Sequence, residues 1–158
     1  MNPALPHSTG ILRIVLIALM ALLSLAVTAR AAPPVELQYE DLVVGSGDTV
    51  KRNAFAVMHF NAWVYDDNAP AFKGHQFADS RKRGETVTWV FGIRRAITGV
   101  EKGMEGMRVG GKRLITIPAK LGYDGRKHAA PEDVPANSAL LFEVELLSVV
   151  PQGASTPQ

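Results

Sequence analysis

Residues 98–118 read TGVEKGMEGMRVGGKRLITIP, and the order of elements inside this stretch decides the fold. Thr98-Gly99-Val100-Glu101 has the form of a capping box, in which a threonine hydroxyl takes the third helical amide and a glutamate reaches back. Val100, Met104 and Met107 recur at i, i+4 and i+7, giving a short helix one apolar stripe that reads as core. Gly106 ends that helix and Gly110-Gly111 makes a turn. Lys112–Ile117 (KRLITI) then runs as a strand until Pro118 closes it. The segment GMRVGGKR also fits the phosphate-loop pattern G-x-x-x-x-G-K-[ST] at every position except the last, where Arg113 stands. A phosphate loop follows a strand and opens a helix, so that the helix N-terminus meets the phosphates. Here the helix comes first and the strand follows, and Arg113 has no hydroxyl to hold Mg²⁺. Order along the chain argues against an ATPase.

Working outward, four more segments read as strands: residues 35–44 (VELQYEDLVV), Ala54–Tyr65 (AFAVMHFNAWVY), residues 86–91 (TVTWVF) and residues 139–149 (ALLFEVELLSV). In the last of these, Phe142, Val144 and Leu146 share one face. Residues 66–76 (DDNAPAFKGHQ) read as a turn-rich surface excursion, with Asp66-Asp67 as solvated turn chemistry. Strands, one short helix and strands again give the α+β class, a mainly antiparallel sheet covered by a helix.

Residues 14–27 (IVLIALMALLSLAV) form an uncharged apolar run preceded by Arg13 and followed by Ala29-Arg30-Ala31, an A-x-A-like cleavage site. This is the layout of a secretory signal peptide over residues 1–32, with an uncleaved membrane anchor as the alternative reading. Residues 33–150 are then the exported domain, periplasmic or secreted, and residues 151–158 (PQGASTPQ) a disordered tail. Once Arg13 and Arg30 are removed, the 17 basic residues become 15 against 15 acidic ones, so the electrostatic case for nucleic-acid binding disappears. After signal cleavage nothing calls for a membrane. The chain has no cysteine, which excludes disulfides, thiol nucleophiles and thiolate metal sites. His59, His75 and His128 are too widely spaced for a metal-binding motif; His59 reads as a satisfied, half-buried side chain, the other two as solvated. Arg81-Lys82-Arg83 and Arg94-Arg95 read as solvated loop charges. No cluster calls for acid–base or covalent catalysis, a metal or a cofactor.

Taken together, VMHFNAW (57–63), FADSR (77–81), residues 91–123 and VPANSALLFEVELL (134–147) resemble the FKBP-type peptidyl-prolyl isomerases over essentially all of residues 35–149. The resemblance implies a twisted antiparallel β-sheet wrapped around one short α-helix, and catalysis of X-Pro bond rotation on proline-containing polypeptides without a cofactor. It implies an apolar cup walled by Phe60, Phe77, Val87, Trp89, Ile97, Val100, Tyr123 and Phe142. The Ile97 backbone N–H and the Tyr123 hydroxyl would donate to a substrate carbonyl, with Phe77 beside them. It also implies weak binding of macrolide inhibitors, and a 124–137 loop that overhangs the cup. Where the family commonly has tryptophan at the pocket floor, this chain has Val100; where it has tyrosine on the early strand, this chain has Phe60. The usual F-D-S-S is Phe77-Ala78-Asp79-Ser80, which moves the carboxylate one residue along an extended segment and onto the opposite face. The resemblance therefore implies either an isomerase assisting the folding of exported proteins or a non-catalytic chaperone or binding module that keeps the fold.

Overall fold

Alternation of small and large apolar residues in AFAVMHFNAWVY builds the central strand. The computed structural model describes residues 35–93, 97–124 and 130–151. In it Ala54–Tyr65 is strand β2, with Ala54, Ala56, Met58, Phe60 and Ala62 buried on one face and the intervening residues turned to the other. Around it lie β1 (Gln38–Val43), β3 (Lys73–Asp79), β4 (Val87–Val90), β5 (Lys112–Ile117) and β6 (Leu140–Pro151), with one helix, α1 (Thr98–Gly103). The order across the sheet is β1-β5-β6-β2-β3, every pairing is antiparallel, and β4 continues the side of β2 that β3 leaves. The α+β fold expected from the sequence, an antiparallel sheet with one short helix, is the fold observed. The signal segment, Arg94-Arg95, His128 and residues 152–158 lie outside the described residues, whereas Pro151 belongs to β6 and not to the tail.

One strand was not legible as such. The excursion at residues 66–76 is shorter than the sequence suggests: Asp66 Oδ1 accepts the Asn68 N–H at 2.9 Å, a 3-10 turn covers Pro70–Phe72, and the chain re-enters the sheet at Lys73. Its alternation is hidden because β3 is irregular. Ala62 pairs with Ala78 but Trp63 pairs with Gln76, leaving Phe77 as the extra residue of a bulge. Such a bulge locally disrupts the ladder and re-aims a side chain.

Helix α1 lies against β5. Gly99 and Gly103, one turn apart, are buried there, and a Cβ at either would strike the side chains of Ile117 and Ile115 respectively. Glycine is what allows the backbone this close. Val100, Met104 and Met107 are all core residues, as the spacing implies, although the helix stops at Gly103 and Met107 lies beyond it. Gly106 (φ +73°) and Gly110 (φ +84°) take the left-handed conformations expected after the helix and in the turn into β5. The capping-box reading is corrected by one residue: Ile97 is the N-cap, with φ −60° and ψ 130°, and its carbonyl accepts the N–H groups of Val100 and Glu101 at 3.0 and 3.1 Å.

Arg113 is also more than a charge at a strand start. It is buried, its Nε and Nη2 donate to the two Asp41 carboxylate oxygens at 2.7 and 3.0 Å, and Nη1 donates to the Gly103 and Glu105 carbonyls at 2.8 and 3.1 Å. A cation on the last carbonyls of a helix satisfies orphaned acceptors and complements the helix dipole. Arg113 thereby joins β1, β5 and the end of α1.

Candidate active site

Residues directly opposed in an antiparallel pair lie on one face. Ala56 faces Trp89, Met58 faces Val87, and Ala62 faces Ala78 on one side and Phe142 on the other. The buried face of β2 therefore collects large side chains from its neighbours, with alanines leaving them room. Their rings form a connected run. Trp89 lies 5.5 Å from Phe60, Phe60 5.6 Å from Phe142, Phe142 6.0 Å from Phe77, and Phe77 6.2 Å from Tyr123, centroid to centroid. The two contacts of Phe77 are edge-on, Phe60–Phe142 is stacked and Phe60–Trp89 tilted; edge-on and offset-stacked pairs are the favoured ring geometries. The bulge in β3 is what sends Phe77 inward beside Ala78.

All eight expected cup residues thus fall in one cluster, but at different depths. Val100 and Phe142 are sealed from solvent, at 0% and 2% exposed, so neither offers a surface of its own. Phe77, Val87, Trp89 and Tyr123 are half-buried and carry the accessible surface. Ile97 belongs to the same cluster and opens α1, its carbonyl accepting the first N–H groups of the helix. Tyr123 follows the 3-10 turn at Ala119–Leu121. The 124–137 loop, expected over the cup, falls partly outside the described residues; its described part is tied to β3 by His75 Nε2 and Asp133 Oδ2, 2.9 Å apart. His75 is thus a strand residue with a partner and not a loop histidine.

One supporting residue escaped sequence reasoning. Along one side of β2, pairing with β3 ends at Asn61–Asp79 and pairing with β4 begins at Met58–Val87. Phe60 sits in the gap, and Ser80 fills it. Its N–H donates to the Phe60 carbonyl at 3.0 Å, its Oγ accepts the Phe60 N–H at 3.0 Å, and His59 Nδ1 lies 3.0 Å from the same Oγ. His59 is accordingly the satisfied, half-buried histidine expected. Nothing in FADSR marks Ser80 for this task; only the change of strand partner reveals it.

The carboxylates of β3 and β6 are kept off the buried face. Asp79 pairs with Asn61 on the outer face, and its carboxyl is held below the usual value chiefly by the Lys82 backbone N–H, donated to Oδ1 at 2.9 Å. Also on that face, Glu143 lies 3.0 Å from Lys73 Nζ and 3.5 Å from Lys112 Nζ, and Glu145 accepts from Arg81 Nη2 at 2.6 Å. The Arg81 hydrogen bond is the main reason the Glu145 carboxyl sits below its ordinary value. Among the described residues no group of His, Asp and Glu could hold a metal. A cluster of rings with the carboxylates of its strands turned outward can bind an apolar group.

A family model described as FKBP-type peptidyl-prolyl cis-trans isomerase matches residues 47–147. The chain belongs to the FKBP-type peptidyl-prolyl cis-trans isomerases. Among its FKBP relatives, the FK506-binding protein of Neisseria meningitidis serogroup B is 34% identical over 110 residues, covering 70% of this chain and 93% of that protein. FK506-binding protein 4 of Dictyostelium discoideum is 41% identical over 115 residues, 73% of this chain but only 29% of that much longer protein. Of solved structures, FkpA from Escherichia coli superposes with a TM-score of 0.61 at 27% identity, over 84% of this chain and 57% of that one. AtFKBP13 gives 0.59 at 27% identity, over 71% and 91%. The family resemblance drawn from the four sequence blocks is confirmed.

Proposed function

We propose that this protein speeds cis–trans isomerisation of X-Pro bonds during the folding of exported polypeptides. The run of rings from Trp89 to Tyr123 carries the proposal, because X-Pro rotation requires no covalent step. The barrier is amide resonance, about 18–20 kcal/mol, and it falls when the amide twists out of plane. A dry apolar cup that holds the pyrrolidine ring removes water from the planar, polar amide and favours the less polar twisted form. Donors from the Ile97 N–H and the Tyr123 hydroxyl would orient the carbonyl before proline. The export part of the proposal rests on the apolar leader at residues 14–27. The relatives are named for FK506, which supports weak binding of such macrolides in the same cup.

A protease-coupled or NMR-exchange assay on an X-Pro peptide tests the reading. Acceleration over buffer is expected, and none at micromolar protein would refute it. A second reading, a non-catalytic chaperone, is favoured by one observation: Ala78, and no carboxylate from β3, faces the cup. It predicts that unfolded chains bind without turnover and that Tyr123→Phe leaves function unchanged.

A further inference from the structure

The turn Arg81-Lys82-Arg83 presents three cations, and the structure disposes of them differently. Arg81 Nη2 reaches Glu145 Oε2 at 2.6 Å, and Lys82 Nζ lies 3.6 Å from Asp79 Oδ2, both on the outer face of the sheet. Arg83 turns the other way. Its guanidinium carbon stands 6.0 Å from the centre of the Phe60 ring, and no carboxylate among the described residues pairs with it. The two other cation–ring contacts, Lys73 over Trp63 and Arg113 over Tyr39, lie away from the cup. Phe60 is nearly buried and lies between Trp89 and Phe142, whereas Arg83 is exposed. An exposed guanidinium over a buried cup ring marks the mouth of the cup, where the chain flanking a bound proline has to pass. The neighbouring strand supplies no anion there, since Ala78 faces inward and Asp79 outward.

We infer that Arg83 sets a charge preference: the cup takes prolines flanked by an acidic residue over prolines flanked by a basic one. This rests on reading the site as a prolyl-isomerase cup. A guanidinium over a phenyl ring at this range is held weakly, and a carboxylate offers it a stronger, bidentate partner. A lysine in the same place meets like charge. The domain after residue 32 has balanced formal charge, 15 basic and 15 acidic residues, so net charge alone produces no such discrimination. The combined effect of attraction and repulsion at an exposed site is about three- to tenfold between the two peptides.

The test uses two series of peptides on the purified chain, with Glu, Leu or Lys directly before proline in one and directly after it in the other. Isomerisation gives kcat/KM, and fluorescence polarisation of the same labelled peptides gives Kd. The Glu peptide should exceed the Lys peptide by about three- to tenfold in at least one series. The ratio should shrink in about 1 M salt, where charges are screened beyond roughly 3 Å. It should approach unity in Arg83→Ala and invert in Arg83→Glu. A Glu-to-Lys ratio near one in both series overturns the inference, and so does a ratio that Arg83→Glu leaves in place. If no peptide is accelerated, the isomerase reading fails, while the charge preference is still decided by the Kd ratio.

Discussion

Replacing Gly103 by alanine sets two effects of known size against each other. In a helix interior alanine is favoured over glycine by about 1 kcal/mol, and at the last residue of α1 by less. Opposing this, a Cβ at Gly103 would meet Ile115, with Cδ1 at 2.9 Å and Cγ1 at 3.1 Å, against the roughly 3.5–4.0 Å of a relaxed carbon contact. Ile115 is fully buried and paired with Phe142 across β5 and β6, so it has nowhere to retreat. Overpacking of this kind costs about 1–3 kcal/mol. The cost wins, and Gly103→Ala should destabilise by about 1–2 kcal/mol in urea unfolding followed by tryptophan fluorescence. The decisive measurement is the same substitution in an Ile115→Ala background. That change alone costs about 2–5 kcal/mol but opens the space the new methyl needs. There Gly103→Ala should be neutral or stabilising, a coupling of about 1–3 kcal/mol between the two sites. Two results would refute close helix–strand approach as the reason for glycine: stabilisation in the parent chain, or costs that simply add.

Arg113→Met should cost about 1–3 kcal/mol in the same assay, because it strips two carbonyls at the end of α1 of their buried donor, while Asp41 is exposed and can turn to water; a loss under about 0.5 kcal/mol would contradict the tie between β5 and α1. Ser80→Ala leaves the Phe60 N–H buried without an acceptor and should cost about 1–3 kcal/mol, whereas Ser80→Thr retains most of it. Tyr123→Phe should lower kcat/KM about five- to tenfold, the worth of one neutral hydrogen bond in the transition state. Glu145 has its folded pKa depressed, so its contribution is present above the unfolded carboxylate range and lost as pH falls through the folded value. Arg81→Ala should therefore lower thermal stability near neutral pH and not where the carboxyl is protonated in both states; an equal loss at both would exclude this linkage.

The elements most legible in the sequence were those whose alternation runs unbroken. Ala54–Tyr65 and Lys112–Ile117 match their strands residue for residue, because their inward positions pack against the core at every second residue. β3 was not legible because a bulge at Phe77 and a second register shift break the period on which strand recognition depends. The helix start moved by one residue for a related reason: Thr98 and Glu101 have the right identities for a capping box, but the turn at Ile97 begins the helix earlier. Arg113 reads in the sequence only as a charge at the start of a strand. Its partners are the end of α1 and Asp41, 72 residues away, and no local pattern could announce them. The cup residues came from resemblance, and the structure brings the rings together; what it alone adds is depth, with Val100 beneath the surface it was expected to form.

The same alternation that aims rings inward also explains where the polar fastening of the cup lies. The proposed desolvation requires that no carboxylate enter the ring cluster, yet β3, which carries Phe77, pairs with β2 through a broken register. With a period of two, each inward ring has an outward neighbour, and the outward neighbour of Phe142 is Glu143. Lys73 at the start of β3 reaches Glu143 on β6 at 3.0 Å, across the back of β2, and Lys112 on β5 approaches the same carboxylate. Each such pair, partly exposed, contributes no more than about 1 kcal/mol. Their value is positional, since Lys73–Glu143 is a polar link between the strand of Phe77 and the strand of Phe142 that bypasses the irregular ladder. Lys73→Met should therefore separate two quantities that usually fall together. Global stability would change by under about 1 kcal/mol, while loss of the Phe77–Phe142 contact would show as a larger relative drop in kcat/KM. Equal, small effects on both would show that the bulged ladder positions Phe77 by itself.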